Sequence, residues 1–243
     1  MSDLCESILR RFDAGKAIRA QRKLANKIIL KDDFNPIRVV VGLDAAYVKG
    51  NPRLGVGVAV ALSYPSMRLI DCQAYVTQVC VPYIPGLLAF REAAVLVPAL
   101  IRLLKRTPAD LLIVDGHGIA HPRKLGIASH IGVAFNLPSI GVAKKKLYGK
   151  IIIRDSKEYI VDDSGSVLGT VLRSRRGSKI YVSPGHRITP DTAAKLVSSM
   201  MKLHKLPEPT YVADSISKSI RSSITSKIGY IQCYDSNSRS ISS

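Results

Sequence analysis

Short apolar runs bounded by turn residues recur along the first 143 positions and predict a central β-sheet. The runs over 37–43, 54–62 and 67–79 follow one another closely, with a Tyr64-Pro65-Ser66 turn before the last. This spacing predicts three antiparallel strands. Two further runs, 111–114 and 139–143, are apolar throughout, as is typical of strands buried on both faces of a sheet, and we expect them to be parallel.

Helical patterns lie between and after these runs. A basic amphipathic pattern over 4–30 breaks near Gly15, and a strongly apolar pattern follows Pro85-Gly86 to about Lys105, where Pro98 should kink or split the helix. Residues 125–136 predict another helix. Thr189 and Pro190 predict the capped start of a helix that runs to about 203, and a last helix begins near Pro209.

A hairpin is indicated around Asp162-Asp163-Ser164-Gly165, and another strand lies at Tyr181 to His186. Three leading strands followed by alternating helices and strands predict an α/β protein with a mixed sheet and flanking helices. This layout resembles the ribonuclease-H-like fold.

The chain has no internal repeat and no clear linker, so we expect one catalytic domain over 1–220. Residues 1–35 would be a basic helical region packed on it, and the serine-rich residues 221–243 a mobile tail. No apolar run reaches the length of a membrane span, and the charged N-terminus is unlike a signal peptide. These features predict a cytoplasmic protein without a membrane partner, and a monomer is the default expectation.

The charge of the chain indicates what kind of partner it binds. The 36 lysines and arginines exceed the 18 acidic residues and leave a formal net charge of +18. Such an excess favours phosphate-rich partners, above all nucleic acid, although a generic basic surface would also produce it. The four cysteines have neither metal-site spacing nor a dense framework, so we expect neither a zinc site nor a disulfide.

Four acidic residues come from separate predicted elements. Asp44 and Asp115 follow apolar runs, whereas Glu92 and Asp214 lie in predicted helices. The layout lets all four meet at one edge of the sheet, where open α/β sheets keep their ligand crevice. Clustered carboxylates repel one another unless divalent cations lie between them, and oxygen ligands suit Mg²⁺, with Mn²⁺ as a substitute. Two ions would activate a water on one side of a phosphodiester and stabilise the leaving oxygen on the other.

Two further side chains are candidates for this chemistry. Lys144 follows the neighbouring strand and could orient the attacking water or offset transition-state charge, although a lysine in a run of three is more often solvated. His121 could contact the scissile phosphate or a metal-bound water. The other histidines carry less positional argument and are interpreted as structural or surface residues; they are His117, His130, His186 and His204.

A set of motifs between about 35 and 220 is similar in order and spacing to the endonuclease V family. The motifs are Asp44 after a valine-rich strand, Val81-Pro82-Tyr83-Ile84-Pro85-Gly86 before Phe90-Arg91-Glu92, the run from Asp115 to Arg123, Gly141-Val142-Ala143-Lys144, Ser183-Pro184-Gly185-His186, and Pro207-Glu208-Pro209-Thr210 before Asp214. The spacing from Tyr83 to His121 is the most specific part.

The resemblance implies a Mg²⁺-dependent endonuclease that recognises hypoxanthine, the deamination product of adenine, in DNA repair. It implies cleavage of the second phosphodiester bond on the 3′ side of the lesion, with 3′-hydroxyl and 5′-phosphate ends. Asp44 and Asp115 match the metal ligands of the family, Glu92 and Asp214 complete its acidic cluster, and His121 and Lys144 match its polar catalytic neighbours.

The remaining site residues follow from the same resemblance. Pro82, Tyr83, Ile84 and Pro85 match a wedge that separates the strands, where a stiff aromatic can fill the gap left by a flipped base. The expected base pocket comprises Gly116, Gly118, Leu125 and Gly126. The expected phosphate contacts are Arg91, Arg123 and Lys145.

Other functions remain open at this point. An inosine-specific endoribonuclease would use the same site on RNA. A different ribonuclease-H-like nuclease or a resolvase would share the acids without needing the Tyr83 wedge. A nucleic-acid-binding protein with a vestigial acidic cluster would bind inosine DNA equally well in EDTA and never cut it.

Overall fold

The sheet that the apolar runs predict is present and contains more strands than expected. A computed structural model describes residues 2–175, 177–224 and 228–235. Within these ranges ten strands form one mixed sheet in the order β10-β3-β2-β1-β4-β5-β9-β8-β7-β6. The strands of its central part are β1 (Val39–Val48), β2 (Asn51–Ser63), β3 (Leu69–Gln78), β4 (Leu111–Asp115) and β5 (Ser139–Ala143).

The direction of the strands follows the prediction. β1, β2 and β3 are antiparallel, while β4 runs parallel to both β1 and β5. Beyond β5 the sheet continues with antiparallel strands, which are β6 (Lys150–Arg154), β7 (Lys157–Val161), β8 (Val167–Arg173) and β9 (Lys179–His186). The turn from Asp162 to Gly165 joins β7 to β8, as the hairpin signal predicts.

Six helices flank the sheet in the described ranges. They are α1 (Ser2–Arg11), α2 (Ala14–Ala25), α3 (Leu88–Leu104), α4 (Ile127–Phe135), α5 (Pro190–Ser199) and α6 (Glu208–Ser223). The expected break in the N-terminal helical region falls at Asp13, whose side chain caps α2. Pro98 lies inside α3 without splitting it. None of these helices is both long and apolar enough to cross a bilayer.

Two layers of helices cover the sheet because its central strands are apolar on both faces. Val41 and Leu43 of β1 pack toward α3 and α4, whereas Val40 packs with α5 on the opposite face. Successive strand side chains point to opposite faces, so one continuous apolar run supplies both layers. The mixed sheet and its two helical layers confirm the predicted α/β, ribonuclease-H-like fold.

One close contact brings the last helix over the first strand. A side chain at Gly42 would collide with the backbone of Pro209, in the first turn of α6. The absence of a Cβ at this position therefore lets α6 lie directly on β1. This packing places the middle of α6 over the residue that follows Leu43.

The prediction that the cysteines form no disulfide was wrong. Cys5 and Cys80 form one disulfide, and Cys72 and Cys233 form another. The partners are 75 and 161 positions apart in sequence, and they meet through tertiary packing that spacing along the chain does not reveal.

The expected mobile tail also differs from the structure. α6 extends to Ser223, and β10 (Gly229–Asp235) pairs antiparallel with β3 at the edge of the sheet. Cys233 in this strand forms the disulfide with Cys72 of β3. Residues 225–227 and 236–243 of the expected tail lie outside the described residues.

Candidate active site

Three carboxylates from three elements meet at one edge of the sheet. Asp44 comes from β1, Asp115 ends β4, and Asp214 comes from α6. One oxygen of each lies within 4.8 Å of the others. Leu43 of β1 pairs with Val114 of β4, so the next residues on the two strands are neighbours. Asp44 lies inside β1 rather than at its end, because its pairing with β2 continues to Val48.

Burial makes this cluster electrostatically unfavourable without a cation. The pKa of Asp44 is raised to about 8, first by burial and then by the charge of Asp115. Ser217 of α6 acts in the opposite direction by donating its hydroxyl hydrogen to Asp44 Oδ2. Glu92 is half-buried at the same cleft, and loss of solvation followed by the charges of Asp44 and Asp115 raises its pKa to about 8. Asp44 and Glu92 favour their protonated forms because burial disfavours a charged carboxylate and because the neighbouring negative charges repel one another.

Two lysines neutralise part of this charge. Lys144 Nζ lies 2.6 Å from Asp115 Oδ2 and 2.8 Å from Asp214 Oδ1. Burial alone would lower the pKa of Lys144, but these two ion pairs raise it above its usual range. Lys218, one turn after Asp214 on α6, lies 2.5 Å from Asp214 Oδ2. Hydrogen bonds from both lysines outweigh burial and lower the pKa of Asp214.

The donor set of this site suits a hard divalent cation. Asp44, Asp115 and Asp214 offer only oxygen atoms, and Glu92 adds a fourth carboxylate at the same cleft. A cation would relieve the repulsion that raises the pKa values of Asp44 and Glu92. The residues present therefore fit a metal of the Mg²⁺ class.

The acidic cluster lies in an open cleft of about 890 Å³. Tyr83 stands at this cleft with 69% of its surface exposed, between two prolines that restrict the backbone. The other walls of the cleft come from several strands, helices and loops. The lining includes Tyr47, Leu88, Gly116, His117, His121, Gly126, Ile127, Lys145, Lys146, Leu147 and Arg221.

His121 is held by backbone groups on both ring nitrogens. Nδ1 accepts a hydrogen bond from the Arg123 N–H, and Nε2 lies 3.1 Å from the Gly86 carbonyl oxygen. This arrangement favours the tautomer that carries its hydrogen on Nε2. Burial and then the positive charge of Arg123 lower the pKa of His121 to about 4. The imidazole is consequently neutral near pH 7.

The expected base-pocket residues divide into two pairs. Gly116 and Gly126 reach the cleft, and Gly116 has a φ of 151°, which favours glycine. Gly118 donates its N–H to Ser183 Oγ beneath the cleft wall, and Leu125 is fully buried. Neither residue of the second pair lines the cleft, so the structure does not place Gly118 and Leu125 in the expected base pocket.

The three expected phosphate contacts are placed differently from one another. Arg91 is buried, donates to the Val81 carbonyl oxygen at 2.6 Å and stacks over Tyr47, so the structure contradicts its expected position on a phosphate-binding surface. Arg123 is half-buried and directs its guanidinium to protein groups. Lys145 alone of the three is exposed at the cleft.

Several cleft residues were not predicted from the sequence. Ser217 and Lys218 lie three and four positions after Asp214, a helical spacing that could have indicated them. His117 lines the cleft with a buried Nδ1 that has no hydrogen-bond partner, and burial lowers its pKa to about 4. Tyr47 follows Asp44 by three positions on β1, and its buried hydroxyl is likewise unpartnered. The position of His117 directly after Asp115 and Gly116 is a signal that could have indicated it, whereas Tyr47 offers none beyond its closeness to Asp44.

Comparison with known proteins agrees with this geometry. A family model described as endonuclease V matches residues 22–215. An endonuclease V from Aeropyrum pernix is 48% identical over 214 residues, which cover 88% of this chain and 82% of that protein. The chain belongs to the endonuclease V family. It is accordingly a nuclease, a hydrolase of phosphodiester bonds.

Solved endonuclease V structures share the fold. The catalytic domain of human endonuclease V matches with a TM-score of 0.80 at 30% identity, over 86% of this chain and 96% of that one. Endonuclease V from Ciona intestinalis matches with a TM-score of 0.78 at 30% identity, over 87% of this chain and 98% of that one. The Ciona protein was crystallised with a 23mer DNA that contains an inosine followed by a ribo-adenosine.

Proposed function

We propose that this endonuclease V recognises hypoxanthine in DNA and hydrolyses the second phosphodiester bond on its 3′ side, leaving 3′-hydroxyl and 5′-phosphate ends. The observation that carries the proposal is the cluster of Asp44, Asp115 and Asp214 in a cleft beside the exposed Tyr83. The inosine-containing DNA bound to the Ciona relative supports the choice of lesion. The biological role that follows is repair of deaminated adenine.

In this proposal the four carboxylates hold Mg²⁺, for which Mn²⁺ can substitute. Asp44 and Asp115 are the principal ligands, and Glu92 and Asp214 complete the site. When bound, Mg²⁺ lowers the pKa of a water and stabilises charge on the phosphodiester oxygens. Ser217 fixes the orientation of Asp44 through its hydrogen bond, so this carboxylate is preorganised for the ion.

Lys144 supplies positive charge at the reacting centre. Its ammonium group is held by Asp115 and Asp214, so it needs little reorganisation when negative charge develops on the phosphate. The neutral His121 lines the same cleft, and a contact with the scissile phosphate or a water would require one ring nitrogen to leave its backbone partner. Both residues act as positioned polar neighbours of the acidic group.

The wedge and the pocket have separate roles in recognising the lesion. Tyr83, kept stiff by Pro82 and Pro85, fills the gap that a flipped base leaves, and Ile84 extends the apolar surface. The flipped hypoxanthine enters the cleft beside Gly116 and Gly126, where backbone groups approach its edge. Glycine is required at both positions by the packing of the protein itself, because a Cβ at Gly126 would collide with the His117 carbonyl oxygen and one at Gly116 would lie 2.5 Å from Ile127 Cγ2.

Basic side chains around the cleft hold the DNA backbone. Lys145 is the predicted contact that remains available, and Lys146 and Arg221 line the same cleft. The net charge of +18 adds a long-range attraction for nucleic acid. A monomeric state and a cytoplasmic location stay predictions from the sequence.

An end-labelled duplex with one deoxyinosine tests the proposal. The protein is incubated with this duplex and with a matched undamaged duplex, with Mg²⁺ or with EDTA, and the products are mapped to the nucleotide. We expect one Mg²⁺-dependent nick after the nucleotide 3′ to the inosine. Absence of a nick, or a nick at another bond, would overturn the proposal. Efficient cleavage of an inosine-containing RNA alone would favour the endoribonuclease alternative.

A further inference from the structure

We propose that the N-terminal helices position the strand-separating wedge from both of its ends, with Gln21 as the positioning residue at one end and the Cys5–Cys80 disulfide as the tether at the other. The inference rests on the proposed role of residues 82–85 as a wedge. It assigns a recognition role to a region outside the acidic cluster.

Gln21 is an unusual residue for its place in the fold. It lies on the basic amphipathic helix α2 and is fully buried. Its Nε2 atom donates to the Gly86 carbonyl oxygen at 3.0 Å and to the Leu125 carbonyl oxygen at 3.3 Å. Its Oε1 atom accepts from Arg123 Nε at 2.6 Å. One side chain therefore joins the end of the wedge, the support of the base pocket and Arg123.

The Gly86 carbonyl is the point where this network meets the wedge. Besides Gln21, it accepts from Arg123 Nη2 at 2.5 Å and lies 3.1 Å from His121 Nε2. Gly86 has a φ of 78°, and a Cβ there would lie 2.7 Å from Arg123 Nη2. Glycine is thus required both by the backbone conformation and by the packing of the arginine. These contacts fix the orientation of the Gly86–Leu87 peptide, one residue beyond the end of the wedge.

The other end of the wedge is fixed by a covalent bond. Cys80, two positions before Pro82, forms its disulfide with Cys5 of α1, and their Cα atoms are 4.9 Å apart. Arg91 donates to the next carbonyl along, that of Val81, at 2.6 Å. Both ends of a short segment are therefore anchored, while Tyr83 between them is exposed.

Anchoring of this kind has a physical purpose in strand separation. A side chain that enters a stacked duplex must displace base stacking, and a mobile segment would lose conformational freedom on doing so. A segment held in place before binding has already lost that freedom. Since Gln21 also binds the Leu125 carbonyl, it sets the distance between the wedge and the pocket that receives the base.

The test compares two inosine substrates, a duplex and a single-stranded oligonucleotide, because only the duplex needs strand separation. Gln21→Met keeps the volume of the side chain and removes its hydrogen bonds. We expect the duplex-to-single-strand ratio of kcat/KM to fall roughly tenfold, which corresponds to the loss of one or two buried hydrogen bonds. The matched control is Gln73→Met, since Gln73 is also fully buried and hydrogen-bonded, but to Asp71 and Arg102. The control should leave the ratio unchanged.

A second pair of variants keeps the test decisive if Gln21→Met does not fold. Cys5→Ser removes the tether at Cys80, and Cys72→Ser removes the other disulfide, which lies at the β3–β10 edge. We expect only Cys5→Ser to lower the ratio, with both assayed below their unfolding temperatures. The inference would be overturned if the ratio were unchanged in both Gln21→Met and Cys5→Ser. It would also be overturned if the controls, Gln73→Met and Cys72→Ser, lowered the ratio as much as the test variants do. Failure of the wild-type protein to cut either inosine substrate would instead overturn the proposed function.

Discussion

The ammonium nitrogen of Lys144 lies 2.6 Å from Oδ2 of Asp115, although the two residues are 29 positions apart. They meet because β4 and β5 are parallel neighbours whose carboxyl ends lie at the same edge of the sheet. The ion pair places the ammonium group beside the carboxylates of both Asp115 and Asp214. The pair therefore links the topology of the sheet to the charge balance of the site.

Replacing Lys144 should impair catalysis more than binding. Lys144→Met keeps most of the length of the side chain and removes the charge that faces Asp115 and Asp214. We expect kcat on inosine duplex to fall roughly 10²-fold, the usual effect of losing a preorganised electrostatic contact, with KM little changed. Lys150→Met is the control, because Lys150 forms an exposed pair with Asp163. A variant that loses affinity but keeps kcat would contradict the catalytic assignment.

Replacing Asp44 should abolish cleavage while leaving DNA binding largely intact. Asp44→Asn preserves the shape of the side chain but removes a ligand charge from the cluster. Because bound metal contributes several kcal/mol to transition-state stabilisation, we expect cleavage to fall on the order of 10³-fold. The measurement is single-turnover cleavage of the inosine duplex beside a binding assay in Ca²⁺ or EDTA.

Asp71→Asn is the matched control for this prediction. Asp71 is also a buried aspartate, but it pairs with Arg106 away from the cleft. Its variant should keep the cleavage rate even if its unfolding temperature is lower. Retained turnover in Asp44→Asn would remove the metal assignment.

The strands and the acidic candidates could be predicted from local pattern. Apolar runs identified the five central strands, because a buried strand shows itself as a short local pattern of apolar residues. The carboxylates that follow Leu43 and Val114 then indicated the site. The end of β1 could not be predicted from this pattern. The run of apolar residues stops at Asp44, but backbone pairing with β2 carries the strand on to Val48.

Features set by tertiary packing were beyond local pattern. Both disulfides join cysteines that only the folded sheet and helices bring together. Arg91 directly precedes Glu92 on α3. Adjacent side chains on a helix point in different directions, and the packing of the helix decides which of the two turns toward the cleft. The sequence assigned phosphate binding to Arg91, whereas packing against Tyr47 buries it.

Removing the aromatic ring of Tyr83 should weaken the recognition of lesions in duplex DNA. Tyr83→Ala takes away the exposed side chain that fills the gap beside a flipped base. Since one stacking contact contributes about 1–3 kcal/mol, we expect the preference for inosine over undamaged duplex to fall roughly tenfold. Tyr230→Ala is the control, because Tyr230 is half exposed and packs on Tyr75 at the far edge. An unchanged preference in Tyr83→Ala would exclude the wedge.

Lys145 should contribute to binding through phosphate contact. Lys145→Ala removes one exposed charge at the cleft and should weaken binding of inosine and undamaged DNA by the same factor. The slope of log K against log salt should become shallower by about one. Lys105→Ala, which changes the exposed C-cap lysine of α3, should leave the slope unchanged. A change in lesion preference, rather than in slope, would contradict a simple phosphate contact.

The buried neutral state of His121 should make part of the stability depend on pH. Its pKa falls from 6.5 to about 4 on folding, so the unfolded chain binds the proton more tightly than the folded one. The stabilisation is therefore fully present above pH 6.5 and is lost as pH falls toward 4. We expect the difference in thermal unfolding midpoint between wild type and His121→Asn to shrink over this window, while it stays constant between pH 7 and 8. Comparing the two proteins at each pH cancels the contributions of Asp44 and Glu92, which the variant retains. A difference that grows as the pH is lowered would show that His121 is charged in the folded protein.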